Sequence, residues 1–407
     1  MSGILDGTAA IRSYLDRLVT GDGKCRGMKV LLLDVTTTQI VSCVYSQTEI
    51  LRKEVYLVSR LDENNMSNMM MNSSDDKQQQ QQQQPPKSTS HLKAVCFVRP
   101  TDINVGLIVK ELTSPRFAEY HLFFSGIIST GLLRLLAESD IYEVVKQVQE
   151  FYGDYLPINP DLLSLNCRNT IAMSMNAGTA WARDFAHLYD RNLQGLQSIL
   201  LSLKRQPNMI RYQASSALAQ QIARDIQECV VTDQIFHFRK SSNCLLLIMD
   251  RMDDPVTPLL SQWTYQAMVH ELLGLNNNRV TLKGAPNINQ PDLEEVVLNA
   301  QQDDFFRQHL NSNFGELGEA IQVLLQNYQK QTNNNNVSSL QTVEEMQQFM
   351  EKFPELKTQS HLVSKHVAIM GELARLVEIC SLMDVSQFEQ ELACADDHTI
   401  HMRELLD

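Results

Sequence analysis

Between residues 28 and 155 the chain alternates short, near-continuous apolar runs with amphipathic stretches, and nothing else in the sequence narrows its fold as much. Strands buried on both faces read as unbroken apolar runs, and parallel strands need a helical crossover to join them. The pattern therefore predicts an α/β chain built on a largely parallel sheet, covered by helices on both sides. Strands are expected at 28–34, 40–45, 54–58, 93–99, 119–124 and 144–155. Helices are expected at 103–112, after Pro100, Thr101 and Asp102 as turn and cap, and at 129–138.

At 407 residues the chain is too long for one core and calls for two or three domains. The net charge of −13 argues against a general affinity for nucleic acid, which rests on clustered Lys and Arg, and favours partners with exposed basic groups. The eight cysteines (Cys25, Cys43, Cys96, Cys167, Cys229, Cys244, Cys380 and Cys394) are scattered and form no CxxC. That distribution reads as free, buried thiols in a reducing compartment, not as a disulfide framework. Ile4, Ile11, Leu15, Leu18 and Val19 recur at helical spacing with Asp6, Arg12, Asp16 and Arg17 between them, an amphipathic helix and not a secretory signal. The apolar run at 244–249 falls far short of the ~20 residues a membrane span needs. Membrane attachment is therefore expected to come through a partner.

The stretch 64–90 interrupts the pattern with Asn, Met, Ser and Gln, including a glutamine run from Gln78 to Gln84 before Pro85-Pro86. Such a segment buries too little apolar surface to offset its ordering entropy and reads as a disordered loop. The stretch 193–231 is mostly helical, with one stripe at Leu196, Leu200 and Leu203 and another at Ala217, Ile222 and Ile226. A polar break at 239–242 precedes another strand-then-helix unit opening at Cys244, and no solenoid repeat is present.

That last unit runs into a loop of acids, Asp250-Arg251-Met252-Asp253-Asp254, before Pro258 starts the expected helix. Acids at the carboxyl end of a strand are where α/β enzymes often hold metal or phosphate. One alternative is thus an enzyme using Asp250, Asp253 and Asp254 with a metal. The spacing is not that of aspartyl phosphoryl transfer, and no P-loop, GxGxxG, HExxH or GxSxG is present. The favoured reading is an ion-pair network in which Arg251 and the acids pin the strand to the following helix. His398 and His401, with Asp396, Asp397 and Glu404, read as a solvated terminal helix, not a metal site. No catalytic residue, cofactor or metal is assigned.

Asp250-Arg251 with Asp253, followed by Thr257-Pro258-Leu259-Leu260 and Trp263-Thr264-Tyr265-Gln266, resembles the signature stretch of the SM (Sec/Munc-class) regulators of SNARE-driven membrane fusion. Gln149-Glu150-Phe151-Tyr152-Gly153-Asp154-Tyr155, Asn276-Asn277-Asn278-Arg279 and Val363-Ser364-Lys365-His366-Val367 sharpen the resemblance to the endosomal branch. It runs from residue 28 to the end, broken mainly by the Gln-rich insert. The resemblance implies a non-enzymatic, three-domain arch with a cavity for SNARE helices: parallel-sheet domains at 1–140 and 141–243, and a domain with a helical hairpin at 244–407. The family continues past the position of Asp407, so the arch is expected to be incomplete. Implied partners are an endosomal or trans-Golgi syntaxin of the Qa-SNARE class, the assembled SNARE complex and a vesicle SNARE. The implied chain is a cytosolic monomer held at endosome, trans-Golgi and vesicle membranes through its SNAREs. An SM protein of another transport step is the near alternative.

The resemblance also implies an apolar pocket on the first domain for a syntaxin N-terminal peptide. Phe124, Ile128, Leu133 and Leu136 are the candidate lining, with Leu133 first. Leu133 and Leu136 lie one helical turn apart beside a strand bearing Phe123 and Phe124, which suits an aromatic anchor. The same four residues also suit a plain core. Independently, Phe314, Leu317, Ile321, Leu324 and Tyr328 repeat at 3-4-3-4, a heptad seam. An Asn-rich turn at 333–336, a capping box of Thr342 with Glu345, and a second arm at Val343, Met346, Met350 and Phe353 complete a hairpin. At ~1.5 Å per residue its first arm would reach roughly 25 Å. Pro354 then breaks the second arm before a helix through Leu356, Val363, Met370 and Val377. The resemblance implies that this hairpin extends to align SNARE helices, with Pro354 as the hinge. A plain kinked helix is the alternative.

Overall fold

A computed structural model describes residues 5–20, 25–62, 90–167, 179–238, 243–285, 291–334 and 343–395, and gives backbone alone for 179–185, 329, 331–334 and 343–358. The insert at 64–89 (with the glutamine run), the break at 239–242, Thr342 and the histidines His398 and His401 lie outside the described residues. The chain divides into two compact units, 1–253 and 254–407. The expected ranges 1–140, 141–243 and 244–407 differ from this partition. The strand at 145–150 belongs to the first sheet, and that at 245–248 pairs with one at 209–212.

The first unit opens with helix α1 (Gly7–Thr20), then β1 (Lys29–Leu33), α2 (Val35–Val44), α3 (Gln47–Arg52), β2 (Val55–Arg60), β3 (Lys93–Val98), α4 (Asp102–Thr113), β4 (Glu119–Phe124), α5 (Thr130–Ser139) and β5 (Val145–Glu150). The five strands form one sheet in the order β2-β1-β3-β4-β5, and every pairing is parallel. Alternate residues feed two cores. Leu31, Leu33, Val95, Phe97 and Phe123 pack against α1, α2 and α3; Val30, Leu32, Ala94, Cys96, Val98, Leu122 and Phe124 pack against α4 and α5. Both faces are covered, as unbroken apolar strands require.

Of the stretch 40–45, expected as a strand, residues 40–44 are the second half of helix α2 and Tyr45 is its extended C-cap. Its β-branched residues favour a strand locally. A capping box overrides that preference: Asp34 accepts from Thr37 N, while the Thr37 hydroxyl accepts from Asp34 N. Thr37, Ile40, Val41 and Val44 then share one buried helix face. Asp34, at the carboxyl end of β1, also accepts from Arg99 N at 2.7 Å and Asn104 Nδ2 at 2.6 Å. The Asp34 carboxylate, at the edge where an open α/β sheet usually binds ligand, is thus satisfied by the protein's own donors.

Strand β5 ends at Glu150, earlier than expected, because 151–155 turn inward as a joint. Phe151 stacks between Tyr14 and Phe123, with ring centroids at 5.2 and 5.0 Å. The short pair β6 (Leu156–Pro157) and β7 (Leu163–Ser164) leads to the long helix α6 (Thr179–Ser202), then β8 (Met209–Tyr212), α7 (Ala217–Thr232) and β9 (Leu245–Ile248). Strands β8 and β9 pair in parallel, and Leu200, Leu201, Ile226, Val230 and Phe236 form the core beside them. Gly195 of α6 is a close approach: a Cβ there would sit 2.4 Å from Leu165.

The second unit begins with an exposed 3-10 turn, Thr257–Leu259, which holds Pro258 where an α-helix was expected to open. Helix α8 (Tyr265–Met268) starts seven residues later, where Tyr265 N and Gln266 N donate to the carbonyls of Ser312 and Leu310, and it passes into a π turn at Val269–Leu273. Asn277 and Asn278, at φ 51° and 63°, take the left-handed conformation that asparagine tolerates and turn the chain into β10 (Arg279–Thr281). Then follow β11 (Glu295–Val297), α9 (Asp304–His309), α10 (Phe314–Asn334), α11 (Val343–Ile379) and α12 (Leu382–Cys394). Asn333 and Asn334, expected in the Asn-rich turn, are helical, and the rest of that turn lies outside the described residues. Helix α11 runs through Pro354 without ending, so the expected break is absent from the backbone.

All eight cysteines are free; Cys25, Cys43 and Cys96 are buried, whereas Cys380 and Cys394 are exposed. Burial pushes the Cys43 thiol up to about 12, which keeps it unreactive. Among the described residues no helix is long and apolar enough to cross a membrane.

Candidate partner-binding sites

On the first unit the candidate peptide pocket falls around α5, which packs beside α4 on one face of the sheet. Ser129 caps α5 by accepting from Leu132 N at 3.3 Å, and Ile128 N donates to Glu150 Oε1 at 2.9 Å. These bonds fix where the 127–133 segment leaves the sheet. The structure separates the four candidate residues. Leu133 is 41% exposed and Ile128 is half-buried. Phe124 and Leu136 are core residues, contrary to their expected place in an open pocket. The reason is geometric: the sheet's period of two turns Phe124 inward, and Leu132 with Leu136, four residues apart, form the helix face that meets it. Phe123 points to the opposite core. Ile127 and Leu135, at 45% and 43% exposure, join Leu133 as the accessible apolar side chains here.

On the second unit the heptad seam of α10 is present. Leu317 and Ile321 are buried, and Phe314, Leu324 and Tyr328 are half-buried. Their partners come from the later part of α11, including Leu362, Ile369, Met370, Leu373 and Val377. Met346, Met350, Phe353 and Pro354 lie on the earlier part of α11, where their side chains are outside the described residues. Trp263 stands edge-on to Phe314 at 6.4 Å and donates from Nε1 to Ser386 Oγ at 3.0 Å, so this signature residue braces the base of α10.

The acid loop is held by neighbouring polar side chains. Asp250 accepts from Ser216 Oγ at 2.6 Å and Met252 N at 3.0 Å, and its own N–H donates to Gln213 Oε1 at 2.8 Å. The Ser216 hydroxyl and the Met252 amide hold the Asp250 carboxyl below its usual range. Asp253 accepts from Ser215 Oγ at 2.7 Å and from Gln213 Nε2. Asp254 accepts from the Thr257 amide and hydroxyl. The Asp250 and Asp253 carboxylates tie the end of β9 to the link between β8 and α7 through Ser215, Ser216 and Gln213. Among the described residues no cluster of three or more His, Cys, Asp or Glu is placed to hold a metal ion.

Behind the hairpin lies a buried polar cluster that sequence reasoning missed. Asp303 Oδ2 accepts from His366 Nε2 at 3.0 Å and from the Lys365 ammonium. His366 Nδ1 meets the Tyr265 hydroxyl at 2.8 Å, and Lys365 also donates to Val297 O at 3.2 Å. Burial would raise the Asp303 pKa, but the hydrogen bonds from His366 and Lys365 and the Lys365 charge hold it well below the carboxylate range. Burial lowers His366, against the opposing pull of Asp303. One sequence signal was available: His366, Ile369, Leu373 and Val377 share a helix stripe, so a polar residue sits among apolar ones on the buried face.

Three motifs noted in the sequence therefore have structural jobs: 149–155 as the joint of the first unit, 276–279 as a left-handed turn, and 363–367 as the root of α11. The pattern shared by the Sec1 family matches residues 29–407. This chain belongs to the Sec1 family. It is 45% identical over 392 residues to vacuolar protein sorting-associated protein 45 of Homo sapiens, covering 96% of this chain and 63% of that relative. The Dictyostelium discoideum protein of the same name is 42% identical, covering 97% of this chain and 64% of its own length. A solved structure described as SM protein Vps45 in complex with Qa SNARE Tlg2 (1-310) aligns at a TM-score of 0.85 and 41% identity. That alignment covers 98% of this chain and 68% of the solved one. The parallel sheet with abundant helix is thus the Sec1-family fold.

Proposed function

We propose that this Sec1-family chain regulates SNARE assembly in vesicle docking and fusion, by binding a syntaxin-type Qa-SNARE of the endosomal or trans-Golgi route and by aligning SNARE helices on its hairpin. The observation that carries this reading is the 0.85 TM-score, at 41% identity, to an SM protein solved with a Qa SNARE. The chain acts by binding and not by catalysis: the acids at the carboxyl ends of β1 and β9 are occupied by capping and loop contacts. It works as a cytosolic monomer, reaching endosome, trans-Golgi and vesicle membranes through its SNAREs.

Two surfaces divide the work. A syntaxin N-terminal peptide docks over α5, with Leu133 and Ile128 as contacts and Phe124 and Leu136 as the packed floor that keeps the surface rigid. The hairpin of α10 and α11, with Pro354 as its hinge, is the template. Because the chain spans 63% of the human relative, binding to the assembled SNARE complex is tested on this chain directly. Purified protein is titrated with N-terminal peptides and cytosolic domains of several syntaxins. Saturable binding to an endosomal or trans-Golgi Qa-SNARE is the expected result. Indifference to every syntaxin offered, or preference for a plasma-membrane one, overturns the assignment.

A further inference from the structure

We infer that Asp303, Lys365, His366 and Tyr265 form the positioning anchor of the template hairpin, fixing the rotation and height at which α11 leaves its base and hence the register of its SNARE-facing surface. The inference rests on the template reading above and deepens it.

Helix α11 has 37 residues, and its described apolar contacts with the core come from its later part, 362–377. Apolar packing is non-directional, so on its own it selects one setting of a long helix only weakly. Hydrogen bonds are directional, and here they converge. Asp303 is not on the helix: its Oδ1 caps α9 through Phe306 N at 2.9 Å, and its own N–H donates to Asn299 O at 2.9 Å. Its other oxygen receives both Lys365 and His366. Lys365 reaches on to the carbonyl of Val297 in β11, and His366 reaches back to Tyr265 in α8. Two adjacent residues of α11 are therefore tied to three separate elements. A shift by one position, about 100° of rotation, would withdraw both from the carboxylate.

Burial disfavours the charged form of the histidine. In the neutral imidazole Tyr265 O–H donates to Nδ1 and Nε2–H donates to Asp303. Four polar groups face it: Tyr265 from α8, Asp303 from the cap of α9, His309 from α9 and Lys365 from α11. The rings of Phe305 at 4.6 Å and Tyr265 at 6.0 Å close the remaining sides. Protonation would put a second cation beside Lys365 and turn Nδ1 into a donor, reversing the tyrosine bond. Burial depresses the histidine, so the unfolded chain takes up this proton first, near its ordinary value of about 6.5. The sign follows: the anchor holds at neutral pH and weakens as pH falls below that value.

The experiment titrates the full chain with two probes, a synthetic vesicle-SNARE helix peptide for the hairpin and a syntaxin N-terminal peptide for α5. For His366→Gln and Lys365→Met the expected result is a loss of about tenfold or more in helix-peptide affinity, with the N-terminal peptide bound as in wild type. Wild type should also lose affinity for the helix peptide as pH falls below about 6.5, a dependence that His366→Gln flattens. If wild type ignores the helix peptide, the template reading fails and takes this inference with it. If wild type binds and both variants match it, pH profile included, the template stands and the anchor is overturned. Should a variant not fold, amide exchange of wild type decides. Protection at 362–377, corrected for intrinsic rates, should fall on acidification while the first sheet keeps its own, and retention at both places refutes the anchor.

Discussion

Arg191 Nη1 lies 3.1 Å from Asp154 Oδ2, and the same guanidinium donates to the backbone carbonyls of Asp154 and Leu165. Arg99 Nε reaches the same carboxylate from the end of β3, also at 3.1 Å. Helix α6 is thereby fastened to the carboxyl edge of the sheet. Tyr155 seals the joint from the other side, its hydroxyl bonded to Ser202 Oγ at 2.9 Å and Gly7 O at 3.3 Å. Asp154→Ala would leave two mostly buried guanidinium groups without their shared anion. Removing one partner of a buried ion pair costs about 3–5 kcal/mol. A urea titration should therefore show a large drop in midpoint. A loss below about 1 kcal/mol would mean that water replaces the carboxylate and that the joint is held by packing.

The peptide surface gives a paired prediction, because the structure splits residues that the sequence presents as equivalent. Leu133 is exposed, so Leu133→Arg should change stability by no more than about 0.5 kcal/mol. The same change should abolish measurable binding of a syntaxin N-terminal peptide. Leu136 is 3% exposed within the core, and Leu136→Ala should cost about 2–5 kcal/mol in stability. Thermal melts and peptide titrations on the two variants separate the roles. Destabilisation by the arginine, with peptide affinity unchanged, would move the docking surface elsewhere.

How much was legible in advance follows from how local each determinant is. Strands β1, β3 and β4 and helices α4 and α5 were readable because an apolar run, or a Thr101 or Ser129 cap, sits within the element itself. Helix α2 was not readable, since Thr36, Thr37, Thr38, Ile40 and Val41 favour a strand and a single Asp34–Thr37 box reverses the outcome. The α10 seam was visible as a heptad. The inward turn of Phe124 and Leu136 depends on which side of the sheet receives α5, a tertiary fact. The anchor was least visible, because Lys365 and His366 meet Asp303 across 62 and 63 residues of chain.

The acid loop separates a structural role from a catalytic one. Asp250→Asn keeps the shape but replaces a charged acceptor bound to Ser216 and Met252 by a neutral one. Since the residue is only half-buried, the cost should be about 1 kcal/mol. A chelator or added magnesium should leave the melting temperature of wild type and variant unchanged. Metal-dependent stabilisation that disappears in the variant would revive the enzyme alternative.

Pro354 is the sharpest handle on the hairpin. Proline lacks the N–H that would bond the carbonyl four residues earlier, and its ring crowds that carbonyl, a penalty of about 3 kcal/mol inside a helix. The backbone of α11 is nevertheless helical on both sides of it, so the helix carries this local penalty without ending. Pro354→Ala restores the missing donor and removes the crowding. Helix content and amide protection around 350–354 should rise. If bending at Pro354 holds the hairpin away from its extended, SNARE-aligning form, vesicle-SNARE affinity should rise as well, by about tenfold if half of the penalty is released. Raised protection with unchanged affinity would make the proline a tolerated kink and remove the hinge from the mechanism.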